Sequence, residues 1–165
     1  MKLLLARCLV ALGLLFAGAQ AQALCIQGLC ACTVSTTNVA FGSYNPLAFG
    51  NIDSTGSVSV KCGGVVGLLI PFKIDLSTGG GSFTARRMAS GANLLGYNLY
   101  TDTSYTTIWG DGTGTTQSVV SGVTLDALGL SPAQVFWVYG RIPGRQLTVV
   151  PGPYADSISV TLTYY

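Results

Sequence analysis

Residues Tyr154 to Tyr165 read YADSISVTLTYY. Tyr154, Ile158, Val160, Leu162 and Tyr164 share one parity and Ser157, Ser159, Thr161 and Thr163 the other, with Asp156 the one break on the apolar side. Side chains alternate across an extended chain, so this run makes a strand with an apolar face and a hydroxyl face. The sequence ends on it, and a terminal strand beside an unfilled position leaves an edge open to pairing. The expectation is an unsatisfied sheet edge at the C-terminus.

Upstream, strand signals recur between clusters of Gly, Pro, Asn and Asp. Thr33 to Phe41 reads as a first strand, with a phase change at Thr36-Thr37 that suggests a bulge. Ser57 to Cys62 alternates cleanly, and Leu68, Ile70, Phe72, Ile74 and Leu76 share one parity. Phe83–Met88 and Leu94–Thr101 read as a hairpin around Ser90-Gly91, and Val135–Tyr139 as a central strand apolar on both faces. Only Leu125–Leu130 offers a helical turn. Many short strands at this spacing predict an all-β antiparallel sandwich.

The opening residues have the grammar of a secretory signal peptide. Lys2 and Arg7 precede the apolar run Leu9–Phe16, and small residues place cleavage after Ala21 or Ala23. The expected organisation is a signal peptide over 1–23 and one domain over 24–165. No apolar run is long enough to span a membrane, so the chain is not expected to be membrane-embedded. Of the eight Lys and Arg, two fall in the leader, leaving six against six Asp. That balance offers no basic stripe for nucleic acid. The Arg86-Arg87 pair is expected to face solvent. A β-rich domain with so few charges has little to protect its edges, which points to assembly with a partner.

Cys8 leaves with the leader. Cys25, Cys30, Cys32 and Cys62 remain, an even set in an exported chain, which predicts two disulfides with three ways of pairing them. Cys32 and Cys62 both lie at strand boundaries and are expected to pair; a Cys25–Cys30 bridge would use the rest. The spacing lacks paired CxxC knuckles, so no metal is expected. There is no His and no Glu, which removes Ser-His-Asp and Cys-His catalysis. Asp102 and Asp111, the best acid/base pair on offer, sit in Gly/Ser/Thr turns where Asp bonds nearby backbone. No catalytic residue, no cofactor and no enzyme activity are expected. Among the aromatics, which otherwise read as core, Tyr105 lies between Thr and Ser residues and is the candidate surface contact.

Several segments together carry a family likeness: CTVSTTNVAFGSYNPL (32–47), LLGYNLYTD (94–102), IWGDGTG (108–114), VYGRIPGRQ (138–146) and GPYADSISVTLTY (152–164). In order and spacing they resemble the spore coat protein U domain family, pilin-type subunits of archaic chaperone-usher pili together with a few bacterial coat proteins. The resemblance implies an incomplete immunoglobulin-like sandwich lacking its final strand. A periplasmic chaperone's strand would fill the gap first and a neighbouring pilin subunit's N-terminal strand would replace it, with an outer-membrane usher exporting the subunit to a cell-surface fibre for adhesion and biofilm. Partner strands would add by main-chain pairing along a sheet edge. The groove is expected at Gly152, Ile158, Val160, Leu162, Tyr164 and Tyr165, with Gly152 and Tyr164 in the positions of the glycine and penultimate tyrosine that pilins carry.

Leu24 and Ile26 alternate as a candidate donor segment, but Gly28 interrupts it. A Cys25–Cys30 bridge needs Cα atoms within about 7 Å, whereas an extended span of that length covers about 17 Å. Donor strand and bridge exclude one another. A tip adhesin, or a secreted coat protein that binds a surface without polymerising, is therefore the alternative to a shaft subunit.

Overall fold

The computed structural model describes residues 30–125 and 132–165. The expected leader over 1–23, Cys25, the candidate donor residues Leu24 and Ile26, and all of the expected helical turn except Leu125 lie outside these residues. The strands are β1 (Cys30–Thr37), β2 (Ile52–Gly64), β3 (Leu69–Leu76), β4 (Arg86–Ser90), β5 (Asn93–Tyr100), β6 (Val119–Thr124), β7 (Gln134–Ile142) and β8 (Val160–Tyr164). They form two antiparallel sheets, ordered β1-β2-β7-β5-β4 and β6-β3-β8. The all-β sandwich expected from the strand spacing is the architecture of the chain.

Its core follows from period-two patterning. Ile70, Phe72, Ile74 and Leu76 on β3 are buried and face Val58, Val60 and Val138 from the other sheet. Phe72 meets Phe136 edge to face across the layers, with ring centres 5.8 Å apart. Trp109 is fully buried and donates its indole N–H to the Ile74 carbonyl. Cys32 and Cys62 lie directly opposite in the β1–β2 register and are disulfide-bonded, as their strand-boundary positions predicted. Cys30 is also disulfide-bonded.

Three local expectations need correction. The first strand does not run to Phe41: its ladder stops at Thr37, and the phase change read as a bulge marks the strand's end. Two glycines explain the departure. A Cβ on Gly56 would lie 2.6 Å from the Thr37 carbonyl, and one on Gly140 would lie 2.5 Å from a Val39 methyl and 2.7 Å from the Phe41 ring. Residues 37–41 therefore cross the inner faces of β2 and β7 instead of extending β1. Second, β7 is central but buried on one face only, since Trp137 is 57% exposed on the other. Third, Arg86 does not face solvent. It is fully buried and donates to the carbonyls of Ser77 and Trp109 and to Asn98 Oδ1. The guanidinium satisfies carbonyls that would otherwise be stranded where the sheets meet.

A candidate strand-accepting groove

The C-terminal run is two structures in one. Residues 154–158 have the expected alternation, even residues half-buried and odd residues exposed, but among the described residues their backbone pairs with a neighbouring strand only through mutual bonds between Ala155 and Ala89. From Ser159 onward the chain joins β3. The Ser77 amide donates to the Ser159 carbonyl, and the Tyr165 amide donates to the Pro71 carbonyl at the far end. Between these bonds the register sets Thr161 against Asp75 and Thr163 against Lys73.

In an antiparallel ladder successive residues turn their backbone groups to opposite sides. Ala155, Ser159, Thr161, Thr163 and Tyr165 thus face their bonded neighbours. Ile158, Val160, Leu162 and Tyr164 direct N–H and C=O the other way, where the order β6-β3-β8 supplies no further strand among the described residues. The residues with core-parity side chains are those whose backbone groups line the open edge.

Beside that edge lies a gap. A cavity of about 600 Å³ runs between Thr36–Phe41 on one wall and Tyr154–Val160 on the other, floored by Val58, Leu76, Met88 and Leu99. A second, of about 490 Å³, shares Val39–Phe41, Met88 and Tyr154 with the first and continues past Pro46, Val150 and Gly152. The facing side of β1 is correspondingly uncovered, with Val34 38% exposed on the core parity. Of the residues expected at the groove, Ile158 and Val160 line the larger cavity and Gly152 the smaller. Leu162 packs half-buried on the core beyond the cavity lining, and Tyr164 and Tyr165 are exposed. Tyr164 thus shows little burial despite its parity.

The second wall is held by Asp156, the polar break in the apolar pattern. Its carboxylate accepts from the Gly80 amide at 3.0 and 3.1 Å, from the Tyr97 hydroxyl at 2.6 Å and from the Ser157 amide at 2.8 Å. Gly79 has φ +61°, and a Cβ there would collide with this carboxylate. Asp156 occupies the space a side chain at Gly79 would need, while Gly80 and Gly81 are crowded by the carbonyls of Arg87 and Ala85. Burial, then the bond to Asp156, holds the Tyr97 phenol far above its usual range.

Sequence reading missed the whole first wall, Thr36–Phe41, and the floor. The signal was present as the phase change at Thr36-Thr37 and as glycines inside two strands, which mark close backbone approach.

Tyr105, the candidate surface contact, is half-buried. It takes a positive φ of 57° and packs edge-on to Tyr100 and Tyr139 under the Arg141 guanidinium, 3.6 Å from its ring centre. Asp102 shapes this turn by accepting from the Ser104 hydroxyl and the amides of Ser104, Thr106 and Thr107, which holds its carboxyl far below the usual range. Asp111 likewise accepts from Thr113. Both carboxylates of the candidate acid/base pair organise turns.

Residues 19–161 match the Spore Coat Protein U domain. The chain belongs to that family. "Protein U" of Myxococcus xanthus is a relative, 33% identical over 134 residues that cover 75% of this chain and 70% of the relative. Among solved structures, the fold is similar to a chain of the CsuC–CsuE chaperone–tip adhesion subunit pre-assembly complex from the archaic chaperone-usher Csu pili of Acinetobacter baumannii. The TM-score is 0.52 and the identity 23%, over 81% of this chain. This Spore Coat Protein U domain chain spans 39% of the length of that one.

Proposed function

We propose that this chain is an exported subunit of a chaperone-usher pilus, assembled by donor-strand complementation and serving surface adhesion and biofilm. Its signal peptide would be residues 1–23 and its functional unit residues 24–165. A periplasmic chaperone fills the groove first, a neighbouring subunit replaces it, and an outer-membrane usher passes the fibre to the cell surface. The observation that carries this reading is the coincidence of an open edge along β8 with a gap of about 600 Å³ floored by core residues beside it. Membership of the Spore Coat Protein U domain family and likeness to a chain from a chaperone–subunit complex support it.

Within that reading, a tip position is favoured over the shaft. β1 begins at Cys30, already paired with Gly64, so a donor strand from this chain would have to be built before it. Leu24 and Ile26 are the only alternating residues there, and Gly28 follows them. A secreted coat protein that binds a surface without polymerising is the alternative.

Hydrogen exchange with and without the co-expressed chaperone tests the mechanism. Strand addition should newly protect the amides of Ile158, Val160, Leu162 and Tyr164, while those of Thr161 and Thr163 are already protected. Protection that ignores this parity, or no complex at all, would overturn the assignment.

A further inference from the structure

Among the described residues, the lining of the two cavities contains one formally charged group, the Asp156 carboxylate. Among the described residues it has no cationic partner in contact. Its bonds come from two amides and a phenol, while the ion pairs Lys73–Asp75 and Arg141–Asp53 use other carboxylates. Arg86 acts on it only through space, its donors being committed to Ser77, Asn98 and Trp109. Asp156 is half-buried while the groove is empty. A strand laid along the wall would remove its remaining water, and desolvating a carboxylate held by neutral donors alone is costly unless the occupant brings a compensating charge. The position also has a defined register. Asp156 shares its parity with Tyr154 and Ile158, so the residue set against it on an added strand points inward between two apolar contacts.

We infer that Asp156 selects the strand that enters the groove, and that the cognate strand carries a Lys or Arg at the inward position facing Asp156, between bulky apolar residues at the neighbouring inward positions. The aliphatic stem of such a side chain covers the apolar floor while its charged end reaches the carboxylate. The occupant is a strand of a different polypeptide. Between Arg7 and Lys61 this chain has no Lys or Arg, so its own segment before β1 cannot supply such a side chain. This inference rests on the proposed function, and adds to it which strands are accepted.

The test is refolding of the full chain from denaturant with labelled synthetic decapeptides. These alternate Leu and Val at inward positions, with Lys, acetyl-lysine, Glu or Leu scanned through each inward site, and the affinity of the 1:1 complex is read by fluorescence anisotropy. At one inward site the Lys peptide should bind at least about tenfold more tightly than the Glu peptide, since like-charge juxtaposition is strongly penalised. It should also bind more tightly than the acetyl-lysine peptide of similar length. Whatever its overall affinity for the peptides, Asp156→Asn should lose the Lys-over-Glu preference. Equal binding of Lys and acetyl-lysine peptides at every site would overturn the inference, and that comparison needs no altered protein should Asp156→Asn fail to refold. A preference unchanged in Asp156→Asn would overturn it as well. Either result leaves the groove itself standing. Failure of every peptide, the all-apolar one included, would overturn the groove reading and this inference with it.

Discussion

Gly56 and Gly140 show how single residues set the first wall of the groove. The absence of a Cβ at each lets residues 37–41 lie across two strands, and at Gly56 the obstacle would be a backbone carbonyl that cannot rotate away. Gly56→Ala should cost roughly 1–3 kcal/mol through overpacking, and it should weaken partner binding more than an exposed Gly50→Ala, where a Cβ meets nothing. Denaturant titration of the partner-bound and free forms checks both. At Tyr97 the sign of the pH effect is fixed by its raised pKa. The stability it contributes is fully present below about pH 10, where the unfolded phenol is also protonated, and is lost as pH rises toward the folded value. Tyrosinate absorbance during an alkaline titration should show Tyr97 ionising only as the fold opens, and Tyr97→Phe should remove that part of the alkaline sensitivity.

At the scale of elements, β1 leads into one wall of the gap at Thr36-Thr37, and β8 continues from the other at Val160. The Cys32–Cys62 bridge closes a separation of 30 residues and ties the exposed strand β1 to β2. Its loss should destabilise by roughly 3–4 kcal/mol in the chain-entropy account, read as a shift in the urea midpoint of a Cys32→Ala, Cys62→Ala variant. On β8, Leu162→Asp places an unpaired carboxylate on the core face and should abolish partner capture, at a cost of several kcal/mol. The right control is Thr163→Asp, which faces outward opposite Lys73 and should be mild. Thr161 is on the same outer face but opposite Asp75, so an added carboxylate there would meet a like charge. Pull-down with the chaperone ranks the variants, and equal recovery of Leu162→Asp and the unaltered chain would refute the assigned face.

For the whole molecule, the open gap is a statement about solubility. The core is continuous from β3 to β2 and β7, yet two joined cavities totalling roughly a thousand Å³ keep it from closing along one side. An exposed apolar surface next to an unpaired edge drives association. The isolated chain should therefore aggregate or melt broadly with a concentration-dependent midpoint, and addition of a strand should convert it to a sharp, reversible transition. Light scattering and calorimetry with and without peptide measure this. A concentration-independent, cooperative melt of the unaccompanied monomer would contradict it.

The sequence by itself determined what depends on local period. The alternation along β3 and the C-terminal run, the hairpin at Ser90-Gly91, the pairing of Cys32 with Cys62 and the sandwich class were all legible because strand faces repeat every two residues and turns need particular residues. The short motifs were legible too, since their order marked the family. What only the tertiary structure decided is what lies across the sheets. It turned Thr36–Phe41 from the end of a strand into a wall, buried Arg86, left Trp137 outside, folded Tyr105 back onto its neighbours, and gave Asp156 its partners at Gly80 and Tyr97. Each depends on contacts between residues far apart in the chain, and periodicity along one strand carries no information about which backbone will cross it.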